Sequence, residues 1–141
     1  MYLSAAMCLA TAIYFEARGE PTAGQVAVAN VIINRKNDRR YPDNICDVVK
    51  QGQTYKWAPH VPVRNRCHFS FYCDGKREVI TNQKAYAKAI DIANRVISGD
   101  LIDITDGATH YHATRILPDW AETKTQTVTI NNHVFYRWEQ K

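Results

Sequence analysis

An apolar run that includes Ala10, Ala12, Ile13, Tyr14 and Phe15 leads into Glu16-Ala17-Arg18 and stops at Gly19 and Pro21. With Ser4 as its cap, this predicts a first helix from Ser4 to about Arg18. Thr22 followed by Gln25 reads as a capping box. The helix it would open, through about Lys36, carries Val26, Ala27, Val28, Ala29, Val31, Ile32 and Ile33. Those residues are apolar on nearly all sides, so this helix should be central and buried. Residues 38–79 hold prolines, glycines, most of the cysteines and many aromatics, and read as loop-rich. A third helix is predicted from about Asn82 to Ser98, with Ala85, Ala89, Ile92, Ala93 and Val96 on one face and Gly99 as its stop. The period then changes to two. Thr127–Ile130 and His133–Tyr136 flank Asn131-Asn132, a hairpin signal, and Ala108–His112 is a candidate third strand. Without repeats, low-complexity tracts or a linker, residues 1–141 read as one α+β domain.

The net charge of +4 and pI near 8.9 suit a polyanionic partner, either nucleic acid or an acidic cell wall. The charge is dispersed, Lys36, Arg39 and Arg40 being the only dense group. No run of twenty apolar residues could cross a membrane. The N-terminus lacks the basic region of a signal peptide, so delivery to a wall would need another route or a leader already removed. The four cysteines form no Cys-x-x-Cys pair. Cys8, on the first helix, is expected to be a buried thiol. One disulfide is expected among Cys46, Cys67 and Cys73, the pair being open.

Glu16 sits at the negative end of a helix among apolar neighbours. Both features raise a carboxyl pKa, and a glutamate protonated near neutral pH is what a general acid requires. The same residues also suit a solvated glutamate beside Arg18, the commoner case. His110 and His112 share a strand face and with His133 could form a three-histidine zinc site, or could line a polar groove. His68, Ser70, Tyr111, Trp120, Tyr136 and Trp138 combine rings with polar groups, as sugar platforms do. Phe69, Phe71 and Phe135 suit a core equally well. Ser70 lacks the Gly-x-Ser-x-Gly elbow of a hydrolase nucleophile.

Four segments in order resemble the SleB/CwlJ family of cell-wall hydrolases. They are Phe15-Glu16-Ala17-Arg18-Gly19-Glu20-Pro21 with Gly24–Ala29 and Asn34-Arg35; Phe69-Ser70-Phe71 with Cys73-Asp74-Gly75; Ala108–His112 with Pro118 and Trp120; and His133–Tyr136. One departure is Asn131-Asn132, where the family commonly has a glycine before the histidine. The resemblance implies a lysozyme-like fold, cleavage of peptidoglycan between N-acetylmuramic acid and N-acetylglucosamine, and Glu16 as the catalytic acid. It implies no cofactor and no metal, and a monomer acting on glycan strands at the bacterial wall, without nucleic acid or membrane insertion. A bare catalytic domain would suit a phage endolysin made in the host cytoplasm, or a small bacterial wall enzyme. A single glutamate suffices for a lytic transglycosylase, substrate-assisted chemistry being the exception to the two-carboxylate scheme. Glu20, Asp74 and Glu122 are candidate second carboxylates, and an essential one would favour a hydrolytic muramidase. His68, Ser70, Tyr111, His112, Trp120 and Tyr136 are the expected substrate contacts. The rival readings are a zinc-dependent wall amidase or peptidase and a non-catalytic binding module.

Overall fold

The computed structural model describes residues 4–139. Its helices are α1 (Ala5–Ala17), α2 (Thr22–Lys36), α3 (Ile45–Val49) and α4 (Gln83–Ile97). The strands are β1 (Gly52–Tyr55), β2 (Ala58–Cys67), β3 (His110–Ala113), β4 (Thr125–Ile130) and β5 (His133–Arg137). β1 and β2 form a separate antiparallel hairpin, and the other three make an antiparallel sheet in the order β3-β5-β4. The α+β class expected from the sequence is the one observed.

Ser4 caps α1, its hydroxyl accepting from Met7 N at 3.1 Å. Leu9, Ala10, Ala12, Ile13 and Tyr14 are then wholly buried, which places α1 inside a cluster with α2, α3 and α4. The Tyr14 hydroxyl accepts from Thr81 N at 3.2 Å and Asn82 N at 3.0 Å, fixing the start of α4 against α1. α2 is central, as its apolar pattern predicts. Val28, Ala29 and Ile32 face the helices, while Ala27 and Val31 meet Ala108 and Phe135 of the sheet.

The expected capping box does not form. Pro21 occupies the N-cap, Thr22 lies inside the helix, and the Gln25 amide turns back to donate to Glu20 O at 3.1 Å. A second correction concerns residues 38–79, which hold α3, the β1–β2 hairpin and a 3-10 turn at Ser70–Cys73 rather than plain loop. A third concerns the cysteines. Cys8 is not a thiol but is bonded to Cys46, and Cys67 is bonded to Cys73. The first bond ties α1 to α3 and the second ties the end of β2 to the 3-10 turn that follows it.

Buried polar side chains of α2 hold the lead-in to β3. Asn30 accepts from Ile104 N at 3.1 Å, and Asn34 donates to Ala108 O and to Asp103 Oδ2, each at 2.9 Å. Asp103 is otherwise spent on its own turn, accepting from the Thr105 amide and hydroxyl and from Gly107 N. This anchoring aligns edge strand β3 beside the C-terminal end of α2. The β4–β5 turn places Asn131 at φ 52°, a left-handed conformation that asparagine tolerates better than most residues.

Candidate functional site

Glu16 is half-buried in the last turn of α1. Burial raises its pKa above the ordinary carboxyl value, against smaller lowering effects from a Tyr111 hydrogen bond and the Arg35 charge. Tyr111 of β3 donates its hydroxyl to Glu16 Oε1 at 2.9 Å. Burial and the neighbouring Glu16 push the Tyr111 pKa far up, so the phenol stays protonated and remains a donor.

Beside this pair lies a pocket of about 290 Å³ lined by Arg35, Tyr41, His68, His110, Tyr111 and Trp120. Arg35, at the end of α2, is buried and donates to Thr109 O at 2.7 Å. Its guanidinium also lies 3.4 Å from His68 Nδ1 and over the rings of Tyr41 and Phe69. Burial lowers the Arg35 pKa, and its charge helps hold those of His68 and His110 down, after the larger effect of burial. His110 falls to about 4, so both imidazoles are neutral hydrogen-bonding groups at neutral pH. The wall is thus aromatic and polar, with one fixed cation and no carboxylate among its lining side chains.

The register explains how the other candidates are distributed. His110 pairs with Tyr136 and His112 with Val134, so His110, His112 and Tyr136 share one sheet face. Tyr111, Phe135 and His133 occupy the opposite face, toward α2. The three histidines of the zinc reading therefore divide between two faces. Among the described residues no group of three His, Cys, Asp or Glu side chains is arranged to hold a metal ion. His112 Nε2 bonds the Tyr136 hydroxyl at 2.8 Å, and both rings pack on Trp120, 5.7 and 5.3 Å between centroids. These two residues brace Trp120 and do not line the pocket.

Ser70 opens its 3-10 turn outside the pocket lining. Asp74 accepts from Lys76 N at 2.8 Å and stabilises the following turn. Glu20 faces His133, with Oε1 3.6 Å from Nδ1 and both side chains 14% exposed. Glu122 is exposed on a second 3-10 turn, Asp119–Thr123. The lining residues that sequence reasoning did not single out as site residues are Arg35 and Tyr41, whereas His110 lines a polar groove as one of its two readings had it. The available signal was Arg35 itself, a cation at the end of a helix whose apolar pattern predicts burial.

Comparison with known proteins agrees with this geometry. The Cell Wall Hydrolase family profile matches residues 19–136. A spore cortex-lytic enzyme of Halalkalibacterium halodurans is 32% identical over 128 residues, covering 90% of this chain and 33% of the relative. The corresponding enzyme of Oceanobacillus iheyensis is 31% identical, covering 90% and 39%. The chain thus spans a little over a third of the length of these relatives. Among solved structures, the catalytic domain of Bacillus cereus SleB superposes with a TM-score of 0.65 at 29% identity, covering 97% of this chain and 93% of that one. The catalytic domain of the germination-specific lytic transglycosylase SleB from Bacillus anthracis gives 0.69 at 28% identity, covering 96% and 97%. The fold is the lysozyme-like one expected. With a family profile spanning nearly the whole of the described fold and the same architecture in two solved domains, the chain belongs to the Cell Wall Hydrolase family.

Proposed function

We propose that residues 1–141 form a single catalytic domain that degrades peptidoglycan as a lytic transglycosylase. The bond cut is the β-1,4 link from N-acetylmuramic acid to N-acetylglucosamine, with Glu16 as general acid and then general base. The observation that carries this reading is a half-buried glutamate of raised pKa, held by Tyr111 beside a pocket with no carboxylate in its lining. Glu16 donates its proton to the glycosidic oxygen as the bond to the muramoyl anomeric carbon breaks. The muramoyl 6-hydroxyl attacks that carbon and its proton passes to the Glu16 carboxylate. The acid is regenerated and the product carries a 1,6-anhydro end. Trp120 and Tyr41 suit the apolar faces of sugars, while His68, His110 and Arg35 suit hydroxyl, acetamido and carboxylate groups. The turning of Glu20 toward His133 favours this route over a two-carboxylate muramidase. Two disulfides suit an oxidising compartment, consistent with action at the wall outside the cytoplasm.

Mass spectrometry of digested sacculi tests the reading. Anhydro-muropeptides are expected, in equal yield after exhaustive chelation. Products heavier by one water, about 18 Da, would make the enzyme a muramidase, because hydrolysis adds the water that internal attack does not. Loss of activity on chelation with recovery on zinc would overturn the glycosidase reading.

Tyr111→Phe probes the acid directly. The lost hydrogen bond stabilises the ionised carboxylate, so its removal raises the Glu16 pKa further. The active form is the protonated one, and the high-pH limb of kcat/KM is expected to move upward. The maximum should fall about tenfold, the scale of one hydrogen bond near 1.4 kcal/mol. A limb that stays in place or moves downward would show that Tyr111 does not act on the acid.

A further inference from the structure

The β1–β2 hairpin stands apart from both core clusters and takes no part in the pocket. Its tip is Lys56-Trp57, the two residues between the paired Tyr55 and Ala58. Trp57 is 79% exposed and Tyr55 37%, with ring centroids 5.1 Å apart. Single exposed apolar residues are ordinary, but a tryptophan and tyrosine displayed together at a hairpin tip form a ready contact surface. The chain from Lys50 to Cys73 contains no aspartate or glutamate but carries Lys50, Lys56, Arg64 and Arg66. The arm is therefore cationic, with Lys56 at its tip and Arg64 and Arg66 near its base.

It is also held stiffly. The Cys67–Cys73 bond pins the end of β2 to the 3-10 turn that follows. There Gly52 lies so close to the opposite strand that a Cβ would meet Cys67 Cα at 2.7 Å. Arg64 lies over Gly75 and braces the arm to the following turn. β2 leads directly into His68, a wall residue of the pocket. The base of the arm therefore adjoins the pocket wall.

We propose that this hairpin is a second, non-catalytic binding site for the peptidoglycan strand. Sugar faces stack on Tyr55 and Trp57, and stem-peptide carboxylates pair with Lys56 and Arg66. The inference rests on the reading of the chain as a peptidoglycan enzyme and adds to it a substrate contact beyond the cleavage site. Glycan fits better than an anionic membrane surface. A membrane-seated element presents a continuous apolar face, whereas this arm exposes Gln53, Thr54, His60 and Asn65 around its two rings.

The test is co-sedimentation with purified sacculi in the Glu16→Gln background, where binding is read without turnover. Trp57→Ala is expected to weaken binding about tenfold, the scale of one lost stacking contact. Lys56→Gln with Arg66→Gln should weaken it and flatten its dependence on salt. Circular dichroism and thermal melting confirm that each variant is folded. Undiminished sedimentation of both folded variants overturns the proposal. So does capture by anionic lipid vesicles that is lost with Trp57→Ala while sacculus binding is kept. The two readings separate cleanly. Product release with arm-independent sedimentation removes only the arm, and arm-dependent sedimentation by a chain whose wild type releases no product removes only the enzyme.

Discussion

Replacing Glu16 with glutamine is expected to reduce peptidoglycan cleavage by about three orders of magnitude while making the protein more heat-stable at neutral pH. The loss follows from removing the proton donor, since one positioned acid/base group contributes roughly 10²–10⁴-fold. The gain follows from the same burial that equips the acid. The folded Glu16 pKa lies above its unfolded value, chiefly through desolvation. The unfolded chain therefore releases this proton at lower pH than the folded one does. The stabilisation is complete below the unfolded pKa and is lost as pH rises through the folded one. Glutamine carries no such penalty and keeps an acceptor for the Tyr111 hydroxyl. Melting curves across pH should show the variant's advantage opening above the ordinary carboxyl range and closing in acid. Near-wild-type lysis by the folded variant would sink the assignment. A Tm difference independent of pH would sink the account of how the acid is tuned.

That the catalytic candidate could be read from the sequence owes much to local chemistry. Ser4 caps α1 as expected, and Asn82, read as the start of α4, proves to be its cap, each side chain accepting from the amide three residues on. The apolar run into Glu16 describes a buried helix end, and burial is the main cause of its raised pKa. The β4–β5 hairpin follows from alternation on either side of a tolerant turn pair. What local pattern could not supply is the partner. Tyr111 lies 95 residues from Glu16, and only the threading of α2 between helices and sheet brings them together.

The misreadings share a cause, in that an environment was assigned to a residue whose fold-level neighbours were unknown. Arg35 enters the sequence reading only as part of a motif, because a cation at a helix C-terminus is usually solvated and carries no signal of its own. Here the helix end is covered by Tyr41, Phe69 and β3, so the guanidinium is buried and becomes part of the site. β2 buries only Ala58 and contains Pro59 and Pro62, so it lacks the alternation that marks a half-buried strand. Pro21 has no amide hydrogen to lose and a φ suited to a helix start, which lets it displace Thr22 as the cap. Cys8 satisfied every criterion for a buried apolar thiol, and its partner, 38 residues away, lies on a helix the sequence did not announce.

Removing that bond is expected to have the largest effect on stability. The Cys8–Cys46 link closes a segment with a sequence separation of 38, against 6 for Cys67–Cys73. In the chain-entropy picture the first stabilises the fold by about 4 kcal/mol and the second by about 2 kcal/mol. The Cys8→Ala, Cys46→Ala double variant should melt about 10–15 °C below wild type for a domain of this size. The loss should also reach the helix that carries the candidate acid, because the bond fixes α3 against α1, whose last turn holds Glu16. The Cys67→Ala, Cys73→Ala pair should lower Tm by about half as much, since it closes only the short loop from the end of β2 to the 3-10 turn after it. Its larger consequence should be a looser arm and weaker sedimentation with sacculi. Urea titrations of the two variants distinguish the accounts. Equal losses would mean that loop closure does not set the scale, and a larger loss from Cys67–Cys73 would mean that the hairpin is integral to the fold rather than carried on it.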